Sequence, residues 1–397
     1  MKPKHKEKLN NPAIRTLDIS SFIFGISAAL ILYLESDYFK TAAHSDNVTV
    51  FFIAAYAITL VLIFNWHYLV RKFGKKKVFL ADFLAKAIFL LVLAKLPVGK
   101  IGVCFLMGYM ILTVLSWIDI DILLEACSRD HKTGRIRGAY LTIMNAGYLI
   151  APFFAGLILN KYGFQPVFLV AAVLILVVWL ICFFKLRNID SSRIEGVDFM
   201  SLLRKLSGRK NVLRIYYVSF LLEFFYALMI IYTPLYLLEL GFSWAQIGQI
   251  FTVMLLPFVL LQYPAGYLAD KKFEERDMII FSLFIMALST FAIFFISSKN
   301  VLLWALVLFS TRIGASLIEI LRDSYFYKRI DCRDVDIINF FRSVRPMAYI
   351  VGLAIATPVI YFLHIRFVFP LISIGVLTGI LAAKNLASSR ISPPARR

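Results

Sequence analysis

The chain has 397 residues, of which 60% are hydrophobic and only 17% charged, with a mean hydropathy of +0.79. Soluble domains are nearer about 45–50% apolar, so the composition excludes an ordinary soluble protein and points to a polytopic membrane protein. The net charge of +19 would suit a nucleic-acid partner, but the basic residues sit in loops between apolar segments and not on one face, which argues against it.

Twelve apolar segments are predicted, each near the ~20 residues that cross a bilayer. They run 13–34, 47–70, 78–96, 101–124, 136–159, 166–185, 212–236, 244–267, 277–297, 300–322, 337–361 and 366–384, numbered here as spans 1–12. The lysine-rich start MKPKHKEK reads as the flank of an uncleaved first span. Most Lys and Arg fall in the tails and in alternate loops, which predicts a multi-pass protein of the inner or plasma membrane with both termini cytoplasmic. The polar, basic stretch after span 6 divides the chain into a six-span unit at 1–186, a linker at 187–211, a second unit at 212–385 and a disordered tail at 386–397. The expected fold is therefore all-α, with twelve transmembrane helices in two bundles of six.

Charges inside spans are costly and read as functional first, with structural pairing as the alternative. Asp18 lies in span 1, and Glu35, Asp37 and Lys40 at its far end read as solvated. Lys86 in span 3 reads as a snorkelling side chain. In span 4, Trp117, Asp121 and Glu125 are spaced four apart and share a face, from which Asp119 points away. Glu223 lies near the middle of span 7. Arg312 and Glu319 are two turns apart on one face of span 10, where Arg312 is within reach of a pairing with Glu223. Glu223, Arg312, Glu319, Asp121 and Asp18 are the candidates for proton coupling. The alternative for the residues near span ends is a set of gate ion pairs with Arg129, Arg342 or Arg345. Trp117, Tyr226, Tyr232 and Tyr33 are candidate cavity aromatics, a wall suited to bulky amphipathic or cationic compounds.

Three short patterns add to this. Gly266-Tyr267-Leu268-Ala269-Asp270-Lys271 closes span 8, where Gly266 admits close helix approach and Asp270 is placed to cap a nearby helix N-terminus. A weaker copy lies 199 residues earlier at His67–Lys76, keeping Leu69, Phe73 and Gly74 but holding Arg71 in the Asp place. Arg71 repels a helix N-terminus, and Asp334 and Asp336 before span 11 are the expected partners that restore the gate with signs exchanged. Span 5 carries Gly138, Gly147, Pro152 and Gly156, a small-residue face for tight packing on span 8 or span 1, with a kink at the proline.

These runs resemble the loop signature of the major facilitator superfamily, and the span 5 pattern is similar to that of its drug:proton antiporters, with Ala151 and Ala155 in place of glycine. The resemblance implies two pseudo-symmetric bundles around a cavity lined by spans 1, 4, 7 and 10, with spans 2, 5, 8 and 11 at the contact between halves. It implies a secondary transporter, foremost a proton-coupled antiporter exporting small organic compounds. A symporter or uniporter taking up a sugar or organic acid is the alternative, and a non-transporting receptor a third reading. The expected partners are a small-molecule substrate, a proton or other coupling ion and the lipid bilayer, with no nucleic acid, and the functional unit is a monomer. No phosphate loop, catalytic pattern or metal-ligand spacing occurs, so no enzyme activity, cofactor or metal is expected. Cys104, Cys127, Cys182 and Cys332 read as reduced filler.

Overall fold

The computed structural model describes residues 12–45, 47–127, 133–186, 208–271, 273–329 and 340–388. Every predicted span is a helix: Pro12–Leu32, Thr49–Phe73, Lys75–Lys95, Lys100–Cys127, Thr133–Tyr162, Phe164–Lys185, Lys210–Glu239, Trp244–Leu260, Glu275–Ile293, Val301–Tyr327, Val344–Phe362 and Val368–Lys384. Eleven of these segments are long and apolar enough to cross a membrane. Span 3, Lys75–Lys95, has 21 residues and is long enough, but it carries Asp82 and Lys86. Among the described residues there are no strands.

Local chemistry sets the ends. Gly74, Gly163 and Gly241 take φ values of 89°, 79° and 85°, a region open to glycine at no steric cost. They turn the chain between spans 2 and 3, 5 and 6, and 7 and 8. Span 8 opens with a capping box in which Ser243 and Gln246 satisfy each other's backbone amides. Asn300 accepts from the amides of Leu302 and Leu303 to start span 10. Span 8 is not one helix as expected: it breaks at Leu261 and resumes as Gln262–Lys271. Pro264 accounts for the break, because its ring has no N–H and clashes with the carbonyl four residues earlier. The far end of span 1 also differs, since Glu35–Ala43 forms a separate helix. Glu35 there is buried at 6% exposure, not solvated.

Packing repeats between the halves. Span 1 packs on spans 5 and 6, span 3 on 4 and 6, and span 2 on 4; span 7 packs on 11 and 12, span 9 on 10 and 12, and span 8 on 10. The two bundles meet where span 5 lies on span 8 and span 2 on span 11, a pairing that maps onto itself when the halves exchange. The span 5 glycines make both of its contacts. A Cβ on Gly147 would lie 2.5 Å from the Phe22 carbonyl oxygen of span 1, and one on Gly156 would lie 2.3 Å from the Trp244 carbonyl oxygen of span 8. Only hydrogen fits at those distances. Gly266 is different, because a Cβ there would meet only the Ile320 side chain at 3.7 Å. The close approach expected at Gly266 is absent in this conformation. The drawn boundaries of the linker bracket residues 187–207, which lie outside the described residues, as does the tail from 389.

Candidate functional site

The seam between bundles encloses a cavity of about 320 Å³. Its wall combines Tyr33 of span 1, Trp117 of span 4, Asn145 and Tyr148 of span 5, Glu223 and Tyr226 of span 7, and Arg312, Glu319 and Arg322 of span 10, with Arg345 of span 11. It reaches Asp323, Phe341 and Arg342 at the ends of spans 10 and 11 nearest the chain termini. At the opposite face the bundles are tied together. Thr49 and Tyr232 share a hydrogen bond of 2.8 Å, the Trp244 indole donates to Asp37 at 3.1 Å, and the Tyr33 and Phe251 rings lie 4.7 Å apart. The cavity thus runs toward the terminal face and is closed at the other, which also explains the slack contact at Gly266 on the terminal side.

Charge inside the cavity is arranged differently from the expectation. Glu223 does not pair with Arg312. Its carboxylate is bracketed by Arg322 at 3.2 Å and Arg345 at 3.5 Å, from spans 10 and 11. Arg322 also bridges its neighbour Asp323 at 3.5 Å. Glu319 accepts a 3.1 Å hydrogen bond from the Tyr226 hydroxyl. Arg312 is 1% exposed. Its guanidinium carbon lies 4.8 Å from the Phe225 ring centre and 5.9 Å from that of Tyr226, beside the Tyr33 hydroxyl. The reason is register: Arg322, almost three turns beyond Arg312, is the arginine of span 10 that lies level with Glu223.

Of the other expected residues, Trp117, Tyr226 and Tyr33 line the cavity, whereas Tyr232 is spent on the contact with Thr49 at the closed face. Asp18 stands on span 1 away from the cavity wall. Arg71 is exposed at the end of span 2 and Gly74 forms the turn that follows. Pro152 lies inside the span 5 helix. Asp336 lies outside the described residues. The side chains of Asp121, Asp270 and Lys271, and the surroundings of Gly138, lie outside them too.

Two clusters escaped the sequence reading. A smaller chamber of about 30 Å³ shares Tyr148 and Arg345 with the cavity wall and is lined by Glu35, Tyr56 and Tyr109. Behind the wall, Lys86 is fully buried, not snorkelling: it donates to the Ser116 hydroxyl, which in turn donates to Asp82. Its ammonium lies 4.2 Å from the Phe24 ring centre and 4.8 Å from that of Phe83. Asp119 accepts from the Trp66 indole at 2.6 Å. The spacing of Asp82 and Lys86, four apart on one helix face, was the available signal. Among the described residues no group of His, Cys, Asp and Glu is placed to hold a metal.

Twelve span helices, among the described residues, in two repeated bundles around a seam cavity define a class of membrane protein, and comparison with known families agrees. The sequence profile of the Major Facilitator Superfamily matches residues 17–330, so the chain belongs to that superfamily. Among curated proteins it is similar to the multidrug resistance protein MdtG of Salmonella schwarzengrund strain CVM19633, 26% identical over 192 residues, covering 47% of this chain and 46% of that one. MdtG of Salmonella paratyphi A is 24% identical over 204 residues, covering 50% and 49%. MdtG of Salmonella paratyphi B is 25% identical over 192 residues, covering 47% and 46%. The chain thus spans about half the length of the curated relatives it matches.

Proposed function

We propose that the protein is a secondary transporter of the inner or plasma membrane, with both termini cytoplasmic, that exports small organic compounds in exchange for protons. The observation that carries this is the seam cavity, charged and aromatic, closed at one face by contacts between two bundles that pack alike. Such a seam opens alternately when one bundle rocks on the other, which is how repeated transporter folds move a solute past a fixed site. The units 1–186 and 212–385 are the rocking bodies, and the site is complete within one chain, so a monomer suffices. The relatives' name supports drug export as the direction.

Glu319 is the coupling carboxylate that the geometry favours. It lines the cavity, and among the described residues its hydrogen-bond partner is the neutral Tyr226 phenol, so it gains and loses a proton without breaking a direct ion pair. Glu223 is bound by two arginines and serves as the fixed bridge between spans 7, 10 and 11. The test is flux into proteoliposomes for a panel of labelled organic compounds under an imposed pH gradient. Accumulation of a compound in exchange for protons supports the reading. Accumulation together with protons moves the protein to the uptake alternative, and no gradient-driven flux for any compound refutes coupling.

A further inference from the structure

Within the transport reading, we propose that Arg312 anchors the acidic group of the cargo, so that the site takes an organic anion with an aromatic or apolar body. Three observations converge. The first is charge count: among the described residues the cavity wall carries Arg312, Arg322, Arg342 and Arg345 against Glu223, Glu319 and Asp323, an excess of one positive charge at ordinary ionisation. The second is where the excess sits. Glu223 is held by Arg322 and Arg345, and Asp323 by Arg322. Arg312 has no carboxylate partner among the described residues, and its buried Nη1 has no hydrogen-bond acceptor. A guanidinium presents five N–H donors in a fork that fits a carboxylate, sulfonate or phosphonate. Leaving a buried donor unmet is costly, so an acidic group arriving there gains both a charge and its hydrogen bonds. Glu319 does not substitute for it: seven residues along the same helix is about 10 Å of rise, and its carboxylate is engaged with Tyr226.

The third observation concerns the aromatics. Rings in a transporter cavity suggest a cationic cargo, but the rings nearest the buried charge are already occupied. Arg312 itself lies against Phe225 and Tyr226, so the protein's own cation fills the place where a cargo cation would stack. Trp117 and Tyr148 line the cavity across the seam, on the other bundle, and offer apolar surface to the body of a cargo. A cargo with its acidic group at Arg312 and its body on Trp117 therefore touches both halves. At about 320 Å³ the cavity is at the small end of ligand pockets, which suits one or two rings.

The experiment is binding calorimetry on the full chain in detergent with three probes of one skeleton: naphthalene-2-sulfonate, naphthalene-2-methanol and naphthalen-2-ylmethylammonium. The expected order is sulfonate tightest, at least tenfold tighter than the alcohol, with the ammonium weakest. Arg312→Gln should weaken the sulfonate at least tenfold and leave the alcohol within about twofold, whereas Arg312→Lys keeps the order. An ammonium that binds as well as the sulfonate, no binding of any probe, or a sulfonate unaffected by Arg312→Gln overturns the assignment. The wild-type order alone decides the question if Arg312→Gln fails to fold. Proteoliposome flux separates the two readings. Selective sulfonate binding without gradient-driven flux of any compound leaves the anion site standing and removes transport. Flux with a preference for the ammonium does the reverse.

Discussion

Alanine at Gly156 is the sharpest test of the seam. The added Cβ would sit 2.3 Å from the Trp244 carbonyl oxygen and 3.0 Å from the Gly248 Cα, both backbone atoms that cannot rotate away. Restoring an ordinary contact of 3.4 Å requires spans 5 and 8 to part by roughly 1 Å at this level. Overpacking of this kind costs about 1–3 kcal/mol. The cost falls on the conformation in which the seam is shut, so it appears as a population shift of about 5–150-fold toward the conformation open at that face. Spin labels on Tyr162→Cys and Ser298→Cys in a cysteine-free background, measured by double electron–electron resonance, report the separation of the two bundles there. Gly156→Ala should enrich the long-distance population, and Gly266→Ala, where a Cβ meets only the movable Ile320 side chain, should not enrich it. Equal effects from the two variants, or none from Gly156→Ala, would refute the reasoning.

Four further outcomes follow from the charges. Glu223→Gln leaves Arg322 and Arg345 without their shared carboxylate and should lower stability by about 3–5 kcal/mol, toward the lower end because the Arg345 side chain is 34% exposed; thermal unfolding in detergent checks this, and adding Arg322→Gln should recover part of the loss. Glu319→Gln should fold normally, retain substrate exchange between equal pools and lose pH-driven accumulation; preserved accumulation would exclude it as the coupling group. Lys86→Met strands two buried carboxylates and should destabilise by about 3–5 kcal/mol, while Lys86→Met with Asp82→Asn should be much milder, as read by the same unfolding assay. Trp244→Phe leaves Asp37 without its 3.1 Å donor and should move the spin-label distances in the same direction as Gly156→Ala.

The helices were legible because each apolar run has the length a bilayer demands, and the two-bundle plan because the run at Gly266–Lys271 has a weaker copy at His67–Lys76, 199 residues earlier. The span 5 face was legible too, since glycine spaced along a helix has few uses besides close packing, and the structure presses Gly147 on span 1 and Gly156 on span 8. Pairing between spans was not legible. Whether Glu223 meets Arg312 or Arg322 depends on the rotation and axial offset of spans 7 and 10, which no local pattern encodes. Lys86 misled for a related reason: a lysine in an apolar span reads as a side chain that reaches for water, whereas Ser116 and the Phe24 and Phe83 rings give it a place inside. Gly266 matched a motif that leads one to expect a tight helix contact, whereas here a Cβ would meet only the Ile320 side chain at 3.7 Å.

The buried Asp82–Ser116–Lys86 chain has a consequence for how the protein is made. A lone Asp or Lys near the centre of an inserting helix costs about 2.5–3.5 kcal/mol each on the scale of translocon insertion, and span 3 bears both. Its partner hydroxyl is on span 4, which leaves the ribosome only after span 3 has been presented to the translocon. Span 3 on its own is thus a poor substrate for release into lipid, and its residence in the translocon should last until Ser116 has emerged and the two helices leave as a hairpin. Nascent chains cut after residue 98, with a glycosylation acceptor appended, should insert span 3 inefficiently. Chains cut after residue 127 should insert it nearly fully, and the Ser116→Val form of the longer chain should fall back toward the shorter one.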